Sequence, residues 1–170
     1  MKSFLLSFFV LTAMIACGQP DKSQRPSPPA LVKETLNSGV TVSIDYSQPS
    51  VKGRTIGTDL EPLPGKVWRT GANEATIFEV DKDVKIEDQP LPAGKYGFFT
   101  IMNEDEWTII FNKTWKQWGA FTYKEADDAL RVKVKSGKAT PFSEQMTFNI
   151  SKDGKITLLW GDIEVNFMVN

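Results

Sequence analysis

The stretch "VWRTGANEATIF", residues 67–78, packs Trp68, Arg69, Asn73 and Glu74 around Gly71. An arginine fork beside a carboxylate could bind an anion or a sugar, with Glu74 as a general base. Each residue also has a plainer task. Glu74 can pair with Arg69, Asn73 can fix a turn through its own backbone, Gly71 can permit an unusual backbone, and Trp68 can plug one end of a β-structure. Arginine is scarce in this chain, four residues against sixteen lysines, and Arg54 in "KGRTIG" stands near the same stretch. Arg54 and Arg69 are thus candidates to line an anion or sugar site, or else to hold loops through Asp45, Glu74 or the backbone.

A second candidate is "FNKTWKQWGAFTYKEADD", residues 111–128, where Trp115, Trp118, Phe121 and Tyr123 crowd a loop. Such aromatics can stack on sugar rings, or fold back over the core. A pair of carboxylates around a cleft can hydrolyse a glycoside without histidine. Asp45, Asp59, Glu61 and Glu74 are the candidates, and nothing in their spacing selects two of them.

Composition removes other chemistry. There is no histidine, hence no histidine general base, no histidine metal ligand and no Ser-His-Asp triad. The single cysteine, Cys17, excludes a disulfide within the chain. A formal net charge of −1 gives no electrostatic footprint for nucleic acid. No glycine-rich phosphate loop or thiol–metal motif is present. The acidic runs "DKD" and "NEDE" lack calcium-loop spacing. No cofactor is expected.

The first residues read "MKSFLLSFFVLTAMIACGQP". Lys2 precedes an apolar run from Phe4 to Ile15, too short to cross a bilayer, which ends at Ala16-Cys17. "MIAC" resembles a bacterial lipobox. Residues 1–16 are expected to be a lipoprotein signal peptide and Cys17 the lipidated residue. A plain signal peptide with an incidental cysteine is the alternative. Residues 17–31, rich in Pro, Ser and Gln, read as a flexible tether from the lipid, and 32–170 as a single domain. Lipid on Cys17 would hold the protein at the cell envelope, on the periplasmic face or the outer-membrane surface.

The elements that must position the candidates are strands. In "VTVSIDYS", Val40, Val42, Ile44 and Tyr46 alternate with polar residues, the pattern of a half-buried strand. "EATIFEV" repeats it. "KYGFFTIM" and "EWTIIF" flank the tip "NEDE" as a hairpin, and "ALRVKVK", "EQMTFNI", "KITLLW" and "IEVNFMV" follow, with Asp153-Gly154 as a tight-turn signal. Only "YKEADDA" could turn helically. About nine short strands predict an all-β fold, an antiparallel β-sandwich of jelly-roll type, with a lipocalin-type barrel as alternative.

"YSQPSVKGR", "VWRTGANEAT", "LPAGKYGFFTI", "EWTIIFNK", the "WG" at 118–119 and the "LRV" at 130–132 together resemble the domain-of-unknown-function 2911 family, found in Bacteroidota secreted proteins and lipoproteins. The similarity runs from about Thr41 to the C-terminus. It implies a secreted or envelope β-rich domain and carries no established activity or catalytic residue. Arg54, Trp68, Arg69, Gly71, Asn73 and Glu74 match its motifs, whereas Gln48 stands where arginine is common in the family. The combined expectation is a lipid-anchored envelope domain of unknown specific activity. It would be non-catalytic and bind a glycan, a small ligand or an envelope protein, with a carboxylate hydrolase and a purely structural component as alternatives.

Overall fold

The computed structural model describes residues 21–170. The expected signal peptide and lipobox, with Cys17, lie outside them. The described chain is all-β and antiparallel, with ten strands and two short 3-10 turns. Strands β1 (Pro29–Thr35), β2 (Thr41–Ser47), β4 (Thr76–Val80), β7 (Gly94–Asn103), β8 (Glu106–Asn112), β9 (Asp128–Ile150) and β10 (Lys155–Met168) are neighbours in that order, and β3 (Val67–Trp68) adds to β7. A separate hairpin of β5 (Val84–Ile86) and β6 (Gln89–Leu91) ties to the C-terminus, where Lys85 and Asn170 exchange backbone hydrogen bonds of 2.7 and 2.9 Å.

The period-two pattern explains the main sheet. Val42, Ile44 and Tyr46 point inward while Thr41, Ser43 and Asp45 point outward. Phe78, Phe98, Phe111 and Phe167, from four strands, meet at ring-centroid distances of 4.9 to 6.5 Å. Curling the sheet into a half-barrel encloses this core and brings the far end of β9 back toward β2. There the Phe148 amide donates to the Tyr46 hydroxyl at 3.2 Å, and Ser50 bridges Gln145. The architecture thus keeps one inner core, as a sandwich does, while its sheet curls into a half-barrel and stays open between β1 and β10.

"ALRVKVK" and "EQMTFNI" belong to one strand of 23 residues, and "KITLLW" and "IEVNFMV" to one of 14. The apolar phase breaks because the register shifts on either side of Gly161, whose φ of 62° suits a bulge. A Cβ there would also stand 2.6 Å from Ile56 Cδ1. Strand β1 begins at Pro29, three residues ahead of the Val32 expected to open the domain, and Lys22, Arg25 and Ser27, in the stretch expected to be tether, contact the domain through Glu74 and Asn73.

β7 and β8 are covered on both faces. Phe99 and Ile110 point outward and are sealed with Ala75 under Ala120 and Tyr123 of the aromatic loop. Gly97 lets that loop settle, since a Cβ would stand 3.2 Å from the Thr114 carbonyl oxygen. A buried network clamps both ends of the loop. The Asn112 amide donates to the Lys124 carbonyl and to Asp128 Oδ1, and its carbonyl oxygen accepts from the Thr114 amide at 2.9 Å. Arg131 reaches both Asp128, at 2.8 Å, and the Tyr123 hydroxyl, at 2.9 Å. Burial, and then the bond to Asp128, push the Tyr123 phenol up to about 12.

Candidate functional site

The segment 68–76 is locked by its own side chains. Trp68 is 2% exposed and donates through Nε1 to the Gly71 carbonyl at 3.1 Å. Thr70, a β-branched residue, adopts a φ of 50°. This costly conformation is held by a 3.0 Å hydroxyl contact with Thr100 and by the Thr76 hydroxyl on its carbonyl at 2.7 Å. Gly71 serves space rather than backbone freedom. Its Cβ would meet Thr76 Oγ1 at 3.0 Å and the Ser47 carbonyl oxygen at 3.1 Å. Asn73 takes the second positive φ, 59°, and donates to the Ser27 carbonyl at 3.1 Å.

Two turns of positive φ send Arg69 and Glu74 to different clefts, and the two do not pair. The first cleft, about 440 Å³, lies on the outer face of β2 and β4, lined by Asp45, Ile77, Glu74, Trp115, Gln117 and Trp118 together with Lys22, Arg25 and Pro29. Its wall forms where residues 117–119 run beside 73–75. Ala75 donates to the Gln117 carbonyl at 3.0 Å and Gly119 to that of Asn73 at 3.1 Å. That pairing joins "GANEA" to "WG" in space.

Glu74 is bound by the N-terminal segment, by Lys22 at 3.0 Å and Arg25 at 2.7 Å. Burial raises its carboxyl pKa, but its own amide and the hydrogen bonds from Lys22 and Arg25 outweigh that and hold it down at about 2. Asp45 moves the other way. Its side chain stays open to solvent, yet the partial burial of its carboxyl, with Glu74 nearby, raises its pKa against the pull of Lys22 and Lys95. Arg25 lies 5.9 Å from the Trp118 ring centre and Lys95 5.6 Å from that of Trp115, with Trp118 itself 54% exposed.

The second cleft, about 270 Å³, is lined by Arg54, Trp68, Arg69, Trp160, Asp59, Glu61 and their neighbours. Arg54 is half-engaged. Its Nε donates to the Val51 carbonyl at 3.1 Å and one terminal nitrogen to that of Ser50 at 2.6 Å. The Arg69 side chain has no hydrogen bond or ion pair with any described residue, and its Nε is shut off from solvent. Burial lowers its pKa, opposed by Glu61.

The candidates thus divide. Glu74, Trp115 and Trp118 converge on the first cleft, Arg54, Trp68 and Arg69 on the second, and Asn73 holds Ser27 between them. Lys22 and Arg25 were missed, because a Pro- and Ser-rich stretch carries no periodic signal. Their charges were the only hint available. Among the described residues no cluster of three or more His, Cys, Asp or Glu is placed to hold a metal ion.

Residues 27–169 match the family described as a protein of unknown function, DUF2911, and the chain belongs to it. No curated protein and no solved structure matches the chain.

Proposed function

We propose that the outer-face cleft binds a glycan, without catalysis, on a protein held at the bacterial cell envelope through lipid on Cys17. The observation that carries this reading is Trp115 and Trp118 flanking one open cleft whose floor offers Asp45, Glu74 and Gln117. Flat aromatic faces suit the apolar face of a sugar ring, and convergent polar groups suit its hydroxyls. Arg25 is eight residues from Cys17. An extended chain of that length reaches about 28 Å, so the cleft would stay close to the membrane and sample glycans there.

Calorimetric titration with neutral β-linked oligosaccharides tests the binding. Saturable binding that Trp115→Ala and Trp118→Ala each weaken about tenfold supports it, and no heat across a panel of envelope glycans contradicts it. Labelled palmitate incorporation, lost in Cys17→Ser, tests the anchor.

A second reading rests on a separate observation. Asp45 and Glu74 share the cleft with pKa values pushed apart, which is how a general acid and an ionised partner are divided in glycoside hydrolysis. Release of reducing ends from a bound oligosaccharide, abolished in Asp45→Asn, would favour this reading over simple binding.

A further inference from the structure

We infer that the second cleft is a separate binding site for a small carboxylate, which the free guanidinium of Arg69 grips.

Among the described residues only two buried side-chain nitrogens or oxygens lack a partner, Arg69 Nε and Trp107 Nε1. They differ in what surrounds them. Trp107 is fully buried within the apolar core between β7 and β9, where no ligand reaches. Arg69 lines an open cleft. A buried guanidinium nitrogen without an acceptor carries a desolvation cost, and an arginine whose side chain has no partner beside an open cleft keeps its terminal nitrogens available to a ligand.

The other charged groups of the cleft are each partly engaged. Asp59 Oδ1 accepts the Thr55 amide at 2.6 Å, and Glu61 Oε2 accepts the Leu63 amide at 3.0 Å. Both therefore serve the 55–63 loop, and neither forms an ion pair with Arg69. Arg54 spends two of its three nitrogens on the Val51 and Ser50 carbonyls, so its guanidinium is fixed in place with one terminal nitrogen left over. The cleft thus offers the unpaired terminal nitrogens of Arg69 and one of Arg54, and two carboxylates also line it.

That balance selects the ligand. A planar carboxylate matches an arginine fork and adds a single negative charge. A phosphate dianion would add a second charge facing Asp59 and Glu61. A cleft of about 270 Å³ lies below the usual range for drug-sized ligands and admits a single ring or a short chain. The indoles of Trp68 and Trp160 form apolar wall, since both spend their N–H groups on the protein, on the Gly71 and Glu61 carbonyls respectively. A sugar acid or a short aliphatic acid fits these features. The site is independent of the glycan reading, because its lining residues are all different.

The test is titration of the protein with sodium glucuronate, sodium propionate and inorganic phosphate, followed by calorimetry and by the arginine Nε–H signals in nitrogen-15 spectra. At least one carboxylate is expected to bind saturably and to shift the Arg69 Nε–H, with phosphate weaker. Arg69→Lys should weaken binding about tenfold or more by keeping charge but losing the fork. Arg69→Met should abolish binding while the melting temperature holds or rises, which separates a ligand site from a structural one. The proposal fails if neither carboxylate shifts the Arg69 signal, if phosphate binds in preference, or if Arg69→Met lowers the melting temperature and leaves carboxylate binding intact.

Discussion

The two clefts on either side of the Ser27–Asn73 contact treat charge in opposite ways. In the first, Glu74 is answered within the chain by Lys22 and Arg25. In the second, Arg69 feels the charge of Glu61, but its side chain makes no hydrogen bond or ion pair with any described residue. A partly exposed, internally paired cluster adds a little stability and orients a surface, whereas a guanidinium with no side-chain partner keeps hydrogen-bonding capacity that the described chain does not use. On the proposals made above, the first cleft would recognise its ligand through Trp115 and Trp118, and the second through one guanidinium.

The difference can be broken at several points. The largest effect is expected from Trp68→Ala. It removes a fully buried indole, costs about 3–5 kcal/mol and collapses the second cleft, read as a lower urea midpoint and lost carboxylate binding. Asn112→Ala comes next. It strands the Thr114 amide and the Lys124 carbonyl, costs about 2 kcal/mol, and loosens the 113–127 loop, so that the first cleft fails while the second persists. Hydrogen exchange across the loop reads this directly.

Smaller again is Glu74→Gln, at about 1 kcal/mol or less, because the pairs are partly exposed and screened. It should free residues 21–28, seen as faster amide exchange there. The pH sign follows from the depressed pKa. The stabilisation from Glu74 is complete above its ordinary pKa of 4.5 and is lost as pH falls toward about 2. The variant should therefore differ from the parent at pH 6 and converge with it near pH 2. The smallest stability change belongs to Arg69→Met, which should leave the midpoint unchanged or raise it.

Much of the fold was legible in the sequence because alternation reports it. β2, β4, β7 and β8 follow their period-two runs, and the turn at Asp153-Gly154 joins β9 to β10. The continuity of those last two strands was not legible, since the bulges around Gly161 reverse the apolar phase without ending the strand. The site was legible in its residue types but not in its grouping. Arg69 and Glu74 are five residues apart and of opposite charge, which reads as a pair. They part because Thr70 and Asn73 both take positive φ, and a β-branched threonine gives no sequence cue for that. The part played by Lys22 and Arg25 escaped because it depends on contacts across 52 and 49 positions of chain.

One spectrum tests the central claim, that the outer-face cleft binds sugar through its tryptophans. The five indole N–H signals of Trp68, Trp107, Trp115, Trp118 and Trp160 are recorded while a neutral β-linked disaccharide is added. Shifts of Trp115 and Trp118 that saturate, with the buried Trp68, Trp107 and Trp160 unmoved, are the predicted result. Unmoved Trp115 and Trp118 signals across the panel of envelope disaccharides, or saturable shifts confined to the buried three, would contradict it.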